Sequence, residues 1–253
     1  MNIISWNLNG LLANVKNETF DVFYDMIPEV LCFQETKTWQ EPEILPGYRH
    51  FWNHAERNGY AGTVALVAPE VEVVSIRNTI GEDAGVNREG RVITLELPDF
   101  FIVNTYAPNS QKDLARKKYR LEWDEAYMEH LFSLKKEKPV IACGDYNATL
   151  SELDTFEENL RQHWAQQGYA SDERSNLFTV LENGFTDAFR SFYPQERNCF
   201  TWWSNRLKKR EENRGWRLDY FFVSDELMPQ VKKVVHHTDI MGSDHCPIGL
   251  EVV

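Results

Sequence analysis

Cysteine is scarce in this chain of 253 residues: Cys32, Cys143, Cys199 and Cys246 are widely spaced and include no C-x-x-C pair. A disulfide framework or a structural zinc site would need closely grouped thiols, so these read as small side chains in a reducing compartment. Long apolar runs are missing too. The longest, Val64–Ala68, spans five residues, whereas a membrane span needs about twenty. No basic-then-apolar leader precedes the first strand-like segment, Asn2–Trp6, so a cytoplasmic location and no membrane partner are expected. The sequons at Asn17 and Asn147 then carry little meaning. There is no G-x-S-x-G elbow, Walker loop, H-E-x-x-H or G-x-G-x-x-G, which removes several enzyme classes.

Positive charge is also short. Twenty-seven Lys and Arg stand against 39 Asp and Glu, for a net charge of −12. Yet Lys112–Arg120 carries five bases against one acid, and Arg206–Arg217 carries six against two. Two basic islands on an acidic body suit a polyanion gripped on one face, and they equally suit two solvated faces. Charge alone leaves both readings open.

What the chain does have is a succession of short strand-like runs. Ile3–Trp6, Val30–Gln34, Tyr48–Trp52, Gly62–Ala68, Arg91–Leu97, Phe100–Tyr106, Val140–Cys143, Phe200–Trp203, Leu218–Val223 and Ile248–Val253 are rich in β-branched and aromatic residues and punctuated by Gly, Pro or Asn. Apolar spacing predicts helices over Leu114–Lys136, Glu18–Ile27 and Ser175–Leu181, the last capped at Asn183-Gly184. No linker or low-complexity tract divides the sequence, so one α/β domain over residues 1–253 is expected. The stretches IISWN and VIACGDYN look loosely alike, by pseudo-symmetry or by chance.

Nearly every strand delivers a polar residue where its apolar run stops: Asn7, Glu35, Tyr106, Asp145 with Asn147, Asp219 and Asp244-His245. Loops at strand ends are where active sites are usually built. Hard oxygen donors with one imidazole suit Mg²⁺ or Mn²⁺ better than zinc. Taken singly, each has an ordinary reading: a solvated Glu, a structural Asp, a turn, a core Trp pair. Their joint occurrence, in order, outweighs those readings.

The motifs SWNLNG, QETK, GYAG, EGRVI, NTYAPN, GDYN, FTWW, GWRLDYFFV and GSDHCPI span nearly the whole chain. Together they resemble the exonuclease III family of abasic-site endonucleases, in the endonuclease/exonuclease/phosphatase superfamily. The resemblance implies a DNase I-like four-layer α/β sandwich, two mixed β-sheets face to face with helices outside. It implies a monomeric Mg²⁺-dependent phosphodiesterase (Mn²⁺ as substitute) acting on double-stranded DNA with abasic sites or blocked 3′ ends. It also implies site roles. Glu35 is the principal metal ligand, with Asn7, Asp145, Asn147, Asp244 and His245 completing that site. Asp145 and Asn147 align the attacking water, Asp219 orients His245, and Tyr106 lies near the phosphate. Trp202, Trp216 and Leu218 form the slot for the flipped abasic sugar, while Asn109, Lys112 and Arg206 contact DNA. The alternatives within reach are a nucleic-acid-binding member with weakened catalysis, or a phosphatase or sphingomyelinase of the same superfamily.

Two departures from the family pattern stand out. The first motif ends in Asn9, where the family usually has Asp. And Leu150–Gln167 keeps Leu153-Asp154 but replaces a basic, proline- and asparagine-rich loop by a longer segment. Its first half carries Glu152, Asp154, Glu157 and Glu158 without a base. Weaker duplex grip is expected on that side.

Overall fold

The computed structural model describes residues 1–111, 114–156, 171–205 and 209–253. Twelve strands form two six-stranded sheets. The first contains β1 (Asn2–Asn7), β2 (Val30–Gln34), β3 (Arg49–Asn53), β4 (Thr63–Val67), β11 (Val231–His236) and β12 (Ile248–Val252), in the order β11-β12-β1-β2-β4-β3. The second contains β5 (Ser75–Arg77), β6 (Val92–Glu96), β7 (Phe101–Tyr106), β8 (Val140–Asp145), β9 (Phe185–Asp187) and β10 (Asp219–Ser224), in the order β5-β6-β7-β8-β10-β9. Each sheet has one parallel pair at its centre, β1 with β2 and β7 with β8, and antiparallel pairs on both sides. The two sheets therefore repeat one pairing scheme, in which β1 corresponds to β7 and β2 to β8. IISWN and VIACGDYN lie on strands that do not correspond, so their likeness is not a product of this repeat.

The core lies between the sheets. Ile3, Val30, Cys32 and Ala65 of the first meet Ile102, Ile141, Cys143 and Phe221 of the second. The outer faces are buried as well. α4 (Lys117–Lys135) and α5 (Ser171–Glu182) cover the second sheet, Trp123, Tyr127 and Leu131 packing on Val140 and Phe222. α1 (Leu11–Lys16) and α2 (Val22–Met26) cover the first, with Leu11 and Phe23 against Trp6 and Phe33. The central strands are buried on both faces and read as unbroken apolar runs with no alternation. Among the described residues two short helices remain, α3 (Ala84–Asn87) and α6 (Ala188–Phe192). The expected α/β/β/α sandwich is the architecture observed. Among the described residues no helix is long and apolar enough to cross a membrane.

Local expectations failed where tertiary pairing decided the outcome. Phe200–Trp203 is no strand. Its backbone forms isolated bridges, Trp202 with Trp216 and with His245, so it is a loop pinned over the end of the sandwich. α4 starts at Lys117, after Leu114 adopts a left-handed φ of 56° that a helix cannot contain. Glu18 (φ 54°) and Ile27 (φ 44°) likewise fall outside the helix expected over Glu18–Ile27, which begins as a 3₁₀ turn at Thr19–Asp21 and continues as α2. The edge strands β5, β9 and β11 carry little or no apolar run and escaped the sequence reading.

Candidate active site

Strand register gathers the polar residues. Tyr106 stands level with Asp145 across the parallel β7–β8 pair, and Asp219 stands opposite Asp145 across β8–β10. On the facing strand of the other sheet, Asn7 ends β1 and donates from Nδ2 to Asp145 Oδ2 at 2.8 Å. The polypeptide leaves the strands through left-handed residues, Asn9 (φ 47°), Glu35 (φ 58°) and Asn147 (φ 50°). Such turns swing the following side chains away from the pleat. Gly144 of GDYN, at φ 142°, admits no other residue, because a Cβ there would overlap the Thr105 backbone.

Asp145 is buried and tightly held. Its Oδ1 accepts the Asn147 backbone N–H at 2.8 Å, and its Oδ2 accepts Asn7 and, at 3.3 Å, Asn147 Nδ2. Asn147 spends its remaining N–H on Ala107 O at 3.0 Å and accepts Asn109 Nδ2 at 2.9 Å, which fixes the amide's orientation. Beside Asp145, His245 shares a 2.8 Å bond from Nδ1 to Asp219 Oδ2, with its Nε2 3.8 Å from Asp145 Oδ2. Burial pushes the Asp145 carboxyl up and the Asp219 charge adds to this, while His245 opposes; the result is about 7. Burial works against charge on His245, but Asp219 and Asp145 outweigh it and raise the imidazole to about 10. At neutral pH the group is thus an imidazolium next to a carboxylate close to its own midpoint, a base poised to take a proton. Burial also pushes the Tyr106 phenol up, and Glu35 adds to the effect, so it stays protonated and able to donate.

Glu35, Asp145 and Asp244 line one cleft of 520 Å³ with Asn9, Asn109 and His245. Ligand atoms of Asp145, Asp219 and His245 lie within 4.8 Å of one another, and Asp219 Oδ1 is buried without a hydrogen-bond partner. An orphaned carboxylate oxygen among other hard donors fits a divalent metal ion, which this constellation could hold. While His245 remains charged both its nitrogens carry protons, so coordination falls to the oxygens.

The cleft's far wall is aromatic. The rings of Trp202 and Trp216 meet edge to face, with centroids 6.4 Å apart and an interplanar angle of 86°, and Leu218 lies beside them. Tyr60, Arg91, Gln111, Lys209 and Arg214 line the cleft as well. Lys209 and Arg214 belong to the second basic island, whereas Tyr60 and Arg91 carry no role in the sequence although they sit inside GYAG and EGRVI. Arg91 is buried, its guanidinium 4.6 Å from the Tyr106 ring centroid and its Nη1 donating to Tyr106 O at 3.0 Å.

Lys112 and Arg206 lie outside the described residues, as do Glu157 and Glu158. Charge counting along the chain misled in three places. Arg120 and Arg217, counted among the basic islands, are wholly buried, Arg120 against Asp124 and Arg217 against Asp154 and Asp187. Asp154, counted among the acids of the atypical segment, is the fully buried partner of Arg217 and faces no DNA.

A family model described as "Endonuclease/Exonuclease/phosphatase family" matches residues 4–245. The chain is 38% identical over 253 residues to a Bacillus subtilis protein named exodeoxyribonuclease, covering 99% of this chain and 98% of that one. It is also 38% identical over 257 residues to the Danio rerio DNA repair nuclease APEX1, covering 99% and 81%. Among solved structures, an AP endonuclease from Leishmania major superposes with a TM-score of 0.87 at 29% identity, covering 98% of this chain and 86% of that one.

Proposed function

The chain belongs to the Endonuclease/Exonuclease/phosphatase family, and on that footing we propose that it is a Mg²⁺-dependent DNA-repair phosphodiesterase. It hydrolyses the backbone 5′ to abasic sites in duplex DNA and has 3′→5′ exonuclease and 3′-phosphodiesterase or phosphatase activity. The observation that carries this reading is the buried Asp219–His245 pair set 3.8 Å from a carboxylate raised to about 7. Phosphodiester hydrolysis needs a base for water and a donor for the growing phosphorane charge, and these groups supply one of each.

Each residue then has a task. Asp145 orients a water in line with the scissile bond and takes its proton. Asn7 and Asn147, both bonded to Asp145, hold that carboxylate at its angle. His245 donates from Nε2 to a non-bridging oxygen, kept in one orientation and one charge state by Asp219. Tyr106 offers a second donor. Glu35 and neighbouring oxygens would hold the metal, which when bound would neutralise charge on the leaving 3′-oxygen. Trp202, Trp216 and Leu218 accept a sugar that has lost its base, since unstacking costs least where no base exists. A binding protein without catalysis would have no use for a water-activating carboxylate held by three bonds.

The test is incision of a duplex oligonucleotide with one abasic site, with Mg²⁺ and with EDTA. Cleavage 5′ to the lesion, abolished by EDTA, is expected. Asp145→Asn should still bind the abasic duplex but lose turnover by orders of magnitude. Wild-type turnover by that variant would remove Asp145 from the mechanism.

A further inference from the structure

Both carboxylate oxygens of Asp244 are held by protein donors. Oδ2 accepts the indole N–H of Trp202 at 3.1 Å. Oδ1 accepts Asn9 Nδ2 at 3.0 Å and Ser243 Oγ at 3.3 Å. Asn9 in turn accepts Lys37 Nζ at 2.6 Å, and Lys37 pairs with Glu35 at 2.8 Å. An unbroken run of side-chain bonds therefore joins the aromatic wall to the acid at the other end of the cleft. Backbone bonds keep its first link in register: Trp203 N donates to Asp244 O at 2.9 Å and Cys246 N to Thr201 O at 2.8 Å.

We propose that Asp244 is a positioning residue that sets the Trp202 wall against Asn9 and the Glu35 end of the cleft. The proposal rests on the abasic-site reading above. A sugar seated against Trp202 then brings its phosphate within reach of Asp145 and His245 at a fixed distance, and misplacement by a fraction of an ångström is costly in rate. Asn9 belongs to this arrangement. An amide donates to Asp244 and accepts from Lys37 at once, which an aspartate there, having no N–H, could not do. The departure in the first motif is thus matched by an indole N–H across the cleft, the two donors sharing one carboxylate.

The test uses residues on either side of Asp244 that share no bond with each other. Trp202→Phe keeps a ring and removes the N–H; Asn9→Ala removes the other donor. Each should lower kcat for abasic incision about tenfold, the scale of one hydrogen bond to a charged group, with KM nearly unchanged. Together they should lose little more than either alone, and Asp244→Ala should reproduce the double variant. A further measurement does not depend on catalysis. The Trp202 indole N–H resonance, identified by its loss in Trp202→Phe, should be protected from exchange in the wild type and lose protection in Asp244→Ala. Multiplicative kinetic effects or an indole N–H indifferent to Asp244 would each overturn the proposal. If the wild type incises no abasic DNA, the functional reading fails, while the resonance still decides the role of Asp244.

Discussion

Asp154→Ala should destabilise the protein more than almost any other single truncation of a polar side chain. Asp154 is fully buried and accepts Arg217 Nε at 2.8 Å, Arg190 Nη2 at 2.5 Å and the Ser151 backbone N–H at 2.9 Å. It joins the chain just after GDYN to Arg217, two residues before Asp219. Its loss leaves Arg217, which is also wholly buried, with Asp187 alone. Removing one partner of a buried pair costs about 3–5 kcal/mol, because the stranded charge keeps its desolvation cost. With an unfolding entropy of about 2.1 cal/mol/K per residue, that lowers Tm by about 6–10 °C in a chain of this length.

The pH dependence gives an independent measure of the same carboxylate. Burial alone would push its pKa up, but Arg217 and Arg190 hold it at about 2, below the usual 3.8. The folded protein therefore binds this proton more weakly than the unfolded chain does. The stabilisation is whole above about pH 5 and is lost as pH falls through the interval between the two values, about 2 kcal/mol in all. Urea unfolding of wild type, Asp154→Ala and Asp154→Asn between pH 7 and pH 2 measures both effects. Asp154→Asn should lack the acid-induced loss. An unfolding free energy for Asp154→Ala within about 1 kcal/mol of wild type, a Tm shift of about 2 °C on this scale, would refute the reasoning.

Three further outcomes are expected. Glu35→Ala should lose activity by orders of magnitude at low Mg²⁺ and regain part of it at high Mg²⁺, and an unaltered rate across a Mg²⁺ titration would exclude Glu35 as a ligand. Arg210 caps the carbonyls of Thr238, Ile240 and Ser243 at 3.1, 2.7 and 2.9 Å while its guanidinium lies 4.7 Å from the Trp203 ring centroid, so it braces the loop carrying Asp244 and His245. Arg210→Ala should cost about 2–3 kcal/mol in unfolding free energy, and Arg210→Lys should recover little of it, since an ammonium has no planar fork to span those carbonyls. Finally, replacing residues 157–167 by a basic proline–asparagine loop should steepen the salt dependence of duplex binding by about 0.9 per phosphate gained and raise exonuclease rate more than abasic incision. An unchanged slope would mean that this segment takes no part in DNA binding.

The motifs made the site's membership legible because hydrolysis demands particular side chains at strand ends, and strand ends are marked by where apolar runs stop. Asn7, Glu35, Tyr106, Asp145, Asn147, Asp219 and His245 were found this way. Their order along the chain could not reveal that β1 and β8 face each other across the two sheets, which is why Asn7 reaches Asp145 across 138 positions. Tyr60 and Arg91 lay inside recognised motifs yet carried no chemical signal, since an arginine under a tyrosine ring is invisible in one dimension.

By itself, then, the sequence determined the layered α/β architecture, through strands apolar on both faces, and the inventory of acids, amides and imidazole. Tertiary structure alone decided what each charge does. Arg120 and Arg217 look like DNA-binding bases and are interior ion-pair partners. Asp154 looks like a repulsive surface acid and is the anchor of Arg217. Asp145 and Asp219 are the same residue type, yet one is raised to about 7 and the other is spent on holding an imidazolium. Composition counts charges, but burial and the nearest opposite charge set their protonation and their partners, and both arise only once the two sheets have closed on each other.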